Sequence, residues 1–89
     1  MIKENSKPTK AENLKVIEHV GGLYATFNGT EIWEIDRVAY GILRLCNGKK
    51  TVKEIIKEVA EKANLEPKHV KKIVLDILNE LAKAKFIKI

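Results

Sequence analysis

The sequence is short of the residues from which active sites are built. It holds two histidines, His19 and His69, one cysteine and one serine, Ser6. The histidines fall in a strand-like stretch and at a helix start without metal-ligand spacing, and Ser6 has no base beside it to activate it. Gly21-Gly22, Gly29, Gly41 and Gly48 stand at turns or alone in a helical stretch, so no glycine-rich phosphate loop is present. These absences exclude the common catalytic constellations, and no enzyme activity, metal or cofactor is expected. A single cysteine excludes an internal disulfide, and its setting in ILRLC makes Cys46 a small buried apolar side chain. No apolar run approaches the ~20 residues that span a bilayer, and the opening MIKENSKPTK lacks a signal-peptide core. The cytoplasm is therefore the default location, with no membrane partner.

Arginine is scarce as well, since fifteen of the 17 basic residues are lysine. Lysine lacks the planar fork that reads guanine or clamps phosphate, which argues against sequence-specific DNA binding. The net charge of +5 is unevenly placed: residues 1–48 carry six bases and six acids, so the whole excess follows Gly48. That asymmetry points to an anionic partner for the second half, either nucleic acid or an acidic peptide, or to a solvated face.

What is present is a small folded chain. Its 89 residues, 45% hydrophobic and 33% charged, suit one globular domain with a single core. Residues 1–13 are polar and are expected as a mobile tail, leaving residues 14–89 as the domain. Residues 14–20 alternate as a strand does, Gly21-Gly22 is a two-residue turn signal before LYATF, and Asn28-Gly29 is a second one before Thr30 to Ile35. A three-stranded antiparallel meander follows, with its last strand at an edge that exposes unpaired N–H and C=O groups.

The period then changes to 3.6. Asp36 caps a helix whose apolar positions are Val38, Ala39, Ile42, Leu43, Leu45 and Cys46, stopped at Asn47-Gly48. Thr51 with Glu54 makes a capping box for a second helix, with Val52, Ile55, Ile56, Val59, Ala60 and Ala63 on one face. Pro67 opens a third helix running to about Lys85, with Val70, Ile73, Val74, Ile77, Leu78 and Leu81 as its core stripe. Leu75 and Ala82 fall outside that stripe and, with Leu78, form a spare apolar strip beginning near Lys71 and Lys72. The closing FIKI is expected to pack back on the body. The fold class is α+β: a three-stranded antiparallel sheet followed by a three-helix, winged-helix-like bundle.

Within this frame, Ile35 to Ile55 carries an alanine (Ala39), an Ile-Leu pair (Ile42-Leu43), Leu45-Cys46, Asn47-Gly48, Lys49-Lys50, Thr51-Val52 and Glu54-Ile55. That spacing resembles the signature of the PqqD-like family, also called the RiPP recognition element, and the order of strands and helices extends the resemblance over residues 14–89. Asn47 stands where the family usually has Asp, and both serve in a turn. Lys50 stands where Arg is common. The resemblance implies a non-catalytic peptide chaperone that captures the leader of a precursor peptide by strand addition and presents it to a radical SAM maturation enzyme. The iron–sulfur cluster and S-adenosylmethionine would belong to that enzyme. The product stays open between pyrroloquinoline quinone and another modified peptide. Family members bind the leader against the third strand with its side chains on the third helix, which implies a peptide-binding set of Glu31, Ile32, Trp33, Glu34, Ile35, Lys71, Lys72, Leu75, Leu78 and Ala82. The alternative is a helix-turn-helix DNA-binding protein, with Lys68, His69, Lys71 and Lys72 leading a recognition helix. It lacks Arg, Asn or Gln in that first turn and a following wing, so nucleic acid is not expected as the partner.

Overall fold

The computed structural model describes residues 2–89. In chain order the elements are β1 (Thr9–Lys10), β2 (Lys15–His19), β3 (Gly22–Thr26), β4 (Trp33–Ile35), α1 (Arg37–Leu45), α2 (Val52–Ala63), α3 (Pro67–Lys83) and β5 (Ile87–Lys88). Strands β2, β3 and β4 form an antiparallel sheet in that order, ahead of the three helices, and β1 pairs separately with β5. The fold is α+β. One core joins Leu23, Ala25 and Ile35 of the sheet to Ile42 and Leu43 of α1, Val52, Ile55 and Ile56 of α2, and Val70, Val74, Leu78 and Leu81 of α3.

The helix ends follow the local rules. The Asp36 carboxylate accepts from Ala39 N–H at 2.7 Å, and Thr51 and Glu54 form the reciprocal capping box. Asn64 closes α2 in the left-handed conformation. α3 ends two residues earlier than expected, because Lys85 turns left-handed and Phe86 N–H reaches Leu81 O at 2.9 Å, a Schellman closure. Phe86 and Ile87 are thereby returned to the core. Three residues assigned to the core by periodicity lie outside it: Val38 and Ile73 are 59% and 56% exposed, and Ala63 is exposed. The remaining stripes hold.

The hairpin departs from expectation by one residue. His19 pairs with Gly22, so the loop is Val20-Gly21 rather than Gly21-Gly22, and both loop residues have positive φ, as a primed turn requires. At Gly22 a Cβ would meet the Tyr24 hydroxyl at 2.8 Å, so the tyrosine ring lies over this position.

Glu4 to Ala11, within the stretch expected as a mobile tail, are hydrogen-bonded along the body. Val52 and Lys53 have no helical partners for their N–H groups, and the carbonyls of Ser6 and Glu4 accept them at 2.8 and 3.0 Å. Pro8 O accepts from Gly48 N–H, and Lys10 and Ala11 donate to Cys46 O and Phe86 O. Pro8 and Ala11 are buried. Gly48 has positive φ, and a Cβ there would sit 2.7 Å from Thr9 Oγ1, so the Asn47-Gly48 turn is shaped to receive this segment. Composition marks the segment as polar, but its backbone supplies the acceptors that the start of α2 lacks.

Candidate functional site

β4 is shorter than the expected Thr30 to Ile35, and side chains of the preceding loop account for it. Asn28 Oδ1 accepts from Thr30 and Glu31 N–H at 2.9 and 3.1 Å, while the Thr26 hydroxyl donates to Glu31 O at 2.6 Å. Both backbone polar groups of Glu31 are thus occupied within the loop. Glu31 therefore has no free N–H for a ligand.

The register decides which β4 groups are open. In a two-residue hairpin the pair flanking the loop exchanges both hydrogen bonds, and bonded and non-bonded pairs alternate from there. With His19 opposite Gly22, Tyr24 and Thr26 of β3 point their N–H and C=O groups at β2, while Leu23 and Ala25 point at β4. Their partners Ile35 and Trp33 are therefore bonded to β3, and Glu34 turns its N–H and C=O outward.

Side chains alternate the other way. Trp33 and Ile35 lie on the core face. Ile35 is buried, whereas Trp33 keeps 40% exposure and packs edge-on against Phe27 and Phe86, at centroid distances of 6.1 and 5.7 Å. The outer face carries Ile17, His19, Tyr24, Thr26 and Ile32, which line a small apolar depression.

Beyond the end of β4 a groove of about 210 Å³ runs between the start of α1 and α3, lined by Asp36, Ala39, Asp76, Ile77, Glu80 and Leu81. Its floor is apolar and its rim acidic. The rim is weakly neutralised, because Asp76 meets Lys72 at 3.3 Å and Glu80 meets Lys83 at 3.9 Å in exposed pairs.

The sequence-derived strip lies on the opposite margin of α3. Leu75, Lys71 and Lys72 line a cleft together with Ile2, Lys3 and Glu4, and Lys71 pairs with Glu4 at 3.5 Å. Leu78 is fully buried and Ala82 is partly buried against the core, so Leu78 belongs to the interior rather than to a surface. The structure thus unites Ile32, Trp33, Glu34 and Ile35 at one edge but sets Lys71, Lys72 and Leu75 against the chain's own N-terminal segment. Ile77, Ala39 and Leu81 were missed as groove residues. Ile77 sits at the other margin of the same helical stripe, and periodicity alone cannot say which margin faces the sheet.

Apart from Ile35, Asp36 and Ala39 at the edge and groove, the family-like stretch is structural. Ile42, Leu43, Cys46, Val52 and Ile55 are core, and Asn47 Oδ1 accepts from Lys49 and Lys50 N–H at 2.9 and 3.2 Å, a role that needs only a side-chain oxygen. Lys50 pairs with Glu58. Burial pushes the Cys46 thiol up to about 11, and it donates to Ile42 O at 3.3 Å, so it is held as an unreactive thiol.

At the start of α3, Lys68 and His69 stand 3.4 and 3.9 Å from Glu66, and Lys71 and Lys72 have the carboxylate partners already named. The strand after α3 is the two-residue β5, paired with β1. Neither feature favours phosphate binding. No described helix is long and apolar enough to cross a membrane.

A family model described as coenzyme PQQ synthesis protein D (PqqD) matches residues 18–87. No curated protein and no solved structure matches the chain.

Proposed function

The chain belongs to the PqqD family, and from that premise we propose that it is a non-catalytic peptide-binding partner in the synthesis of coenzyme PQQ or of a related modified peptide. It captures the leader of a precursor peptide as a strand added to β4 and presents it to a radical SAM maturation enzyme in the cytoplasm. The observation that carries this reading is the outward-facing backbone of Glu34 on a short edge strand beside the groove of Ala39, Ile77 and Leu81. Backbone pairing supplies affinity at such an edge, and pockets for alternate side chains supply selectivity. The peptide-contacting residues in this reading are Ile32, Trp33, Glu34 and Ile35 of the edge, with Asp36, Ala39, Ile77, Glu80 and Leu81 replacing the Leu75 margin.

The test is titration of the isotopically labelled protein with precursor peptides encoded beside its gene. Binding at micromolar or tighter affinity, with the Glu34 amide protected from exchange and the peptide mass unchanged, is the expected result. Failure of every such peptide to protect that amide would remove the strand-addition mechanism.

A further inference from the structure

The sheet has a second edge, and it differs from the first. β2 spans five residues and is unpaired on its outer side. By the same alternation, Lys15, Ile17 and His19 are bonded to β3, while Val16 and Glu18 direct their N–H and C=O groups outward. Beside this edge lies a cleft of about 770 Å³, walled by α1 and by the N-terminal segment. Leu14, Val16, Tyr40 and Leu43 give it an apolar floor, and Lys10, Lys15 and Arg44 give it a rim without a carboxylate.

Arg44 is the informative residue. Of the two arginines, Arg37 is engaged by Glu18 at 3.2 Å, whereas Arg44 has no carboxylate partner among the described residues. Its guanidinium stands 5.8 Å from the Tyr40 ring centroid, within cation–π range, a contact that does not use its N–H groups. The one acid of β2, Glu18, is the residue that Arg37 pairs with.

We propose that the β2 edge is a docking site for an extended, acidic segment of a partner protein. The segment pairs with the outward groups of Val16 and Glu18, drops alternate apolar side chains onto Leu14, Tyr40 and Leu43, and sets its carboxylates against Lys15 and Arg44. The site is independent of the β4 edge and uses none of its residues.

The probe is a seven-residue peptide alternating valine with glutamate, compared with the same peptide carrying lysine in place of glutamate. Amide hydrogen exchange is followed with the full chain at low and high salt. The acidic peptide should protect the Val16 and Glu18 amides and leave Glu34 unchanged, and it should bind about tenfold more tightly than the basic one, as several rim ion pairs together allow. Arg44→Glu should abolish that preference without moving the melting temperature. Equal binding of the two peptides, or protection confined to Glu34, would overturn the proposal. Protection of Val16 that grows with protein concentration and needs no peptide would also overturn it, by showing that a second copy occupies the edge.

Discussion

The two edges of the sheet differ in length, in charge and in what stands beside them. β4 has three residues, one outward-facing backbone pair of groups and a small groove rimmed by Asp36, Asp76 and Glu80. β2 has five residues, two outward-facing positions and a larger cleft rimmed by Lys10, Lys15 and Arg44. Exposed edges invite unwanted pairing, and short length and charge are the usual protection. Here opposite charges guard the two edges, so like segments are repelled at one and attracted at the other. The net charge of the chain conceals this: the acidic groove sits within an overall basic domain, and the surplus of bases after Gly48 does not describe the groove at β4.

Proline substitution should give the largest effects, because it tests the alternation on which both edges rest. Trp33→Pro removes an N–H bonded to β3 and an aromatic that packs on Phe86; loss of cooperative melting is expected at room temperature. Glu34→Pro removes only an outward N–H. It should melt within a few degrees of the parent and bind leader peptide at least tenfold more weakly, with the acidic peptide at β2 unaffected. A Glu34→Pro protein that binds leader normally would show that β4 is not the docking edge.

The next effect separates the margins of α3. Ile77→Asp should weaken leader binding by about tenfold, roughly 1.4 kcal/mol, measured by calorimetry. Leu75→Asp should leave it unchanged while loosening the N-terminal segment, seen as faster exchange of the Val52 and Lys53 amides. The reverse pattern would return the site to the Leu75 margin.

The smallest effect belongs to α2, apart from both edges. Hydrogen bonds from Thr51 hold the Glu54 carboxyl below its ordinary value, and the hydrogen bond from Lys50 does the same for Glu58. A depressed carboxyl stabilises the fold above its unfolded-state value and loses that contribution as pH falls through the folded one. Acid titration of the melting temperature should show a decline below about pH 4.5 that Glu54→Gln makes shallower. Peptide preference at neutral pH should be the same in that variant at both edges.

Much of this was legible in the sequence where the governing interactions are local. Asp36, Thr51-Glu54, Pro67 and the stop at Asn47-Gly48 act within one helical turn: the structure caps α1 at Asp36 and α2 at Thr51-Glu54, starts α3 at Pro67 and ends α1 at Leu45, just before Asn47-Gly48. The third strand was overextended because Thr26 and Asn28 divert the backbone of residues 30 and 31, and a period-two pattern does not register that competition. The contacts of the N-terminal segment were not legible, because its partners, Gly48, Val52 and Ile87, are remote in sequence. Which margin of α3 lies beside β4 was not legible, because periodicity gives the stripe but not the path of β4 into α1. The signature residues gave little help, since all but Ala39 build the core and the turn rather than the groove.

The pairing of β1 with β5 bears on how the domain would answer a pulling force. Thr9 lies opposite Lys88 and Lys10 opposite Ile87, so the chain leaves this ladder at the same end on both strands. Tension applied through the two ends would load the hydrogen bonds one after another, as in peeling, instead of sharing the load across them as in shear. The contacts of Glu4, Ser6 and Pro8 lie between the pulled end and the ladder and should part first, the ladder next, both at low force, with the three-stranded sheet outside the line of load until then.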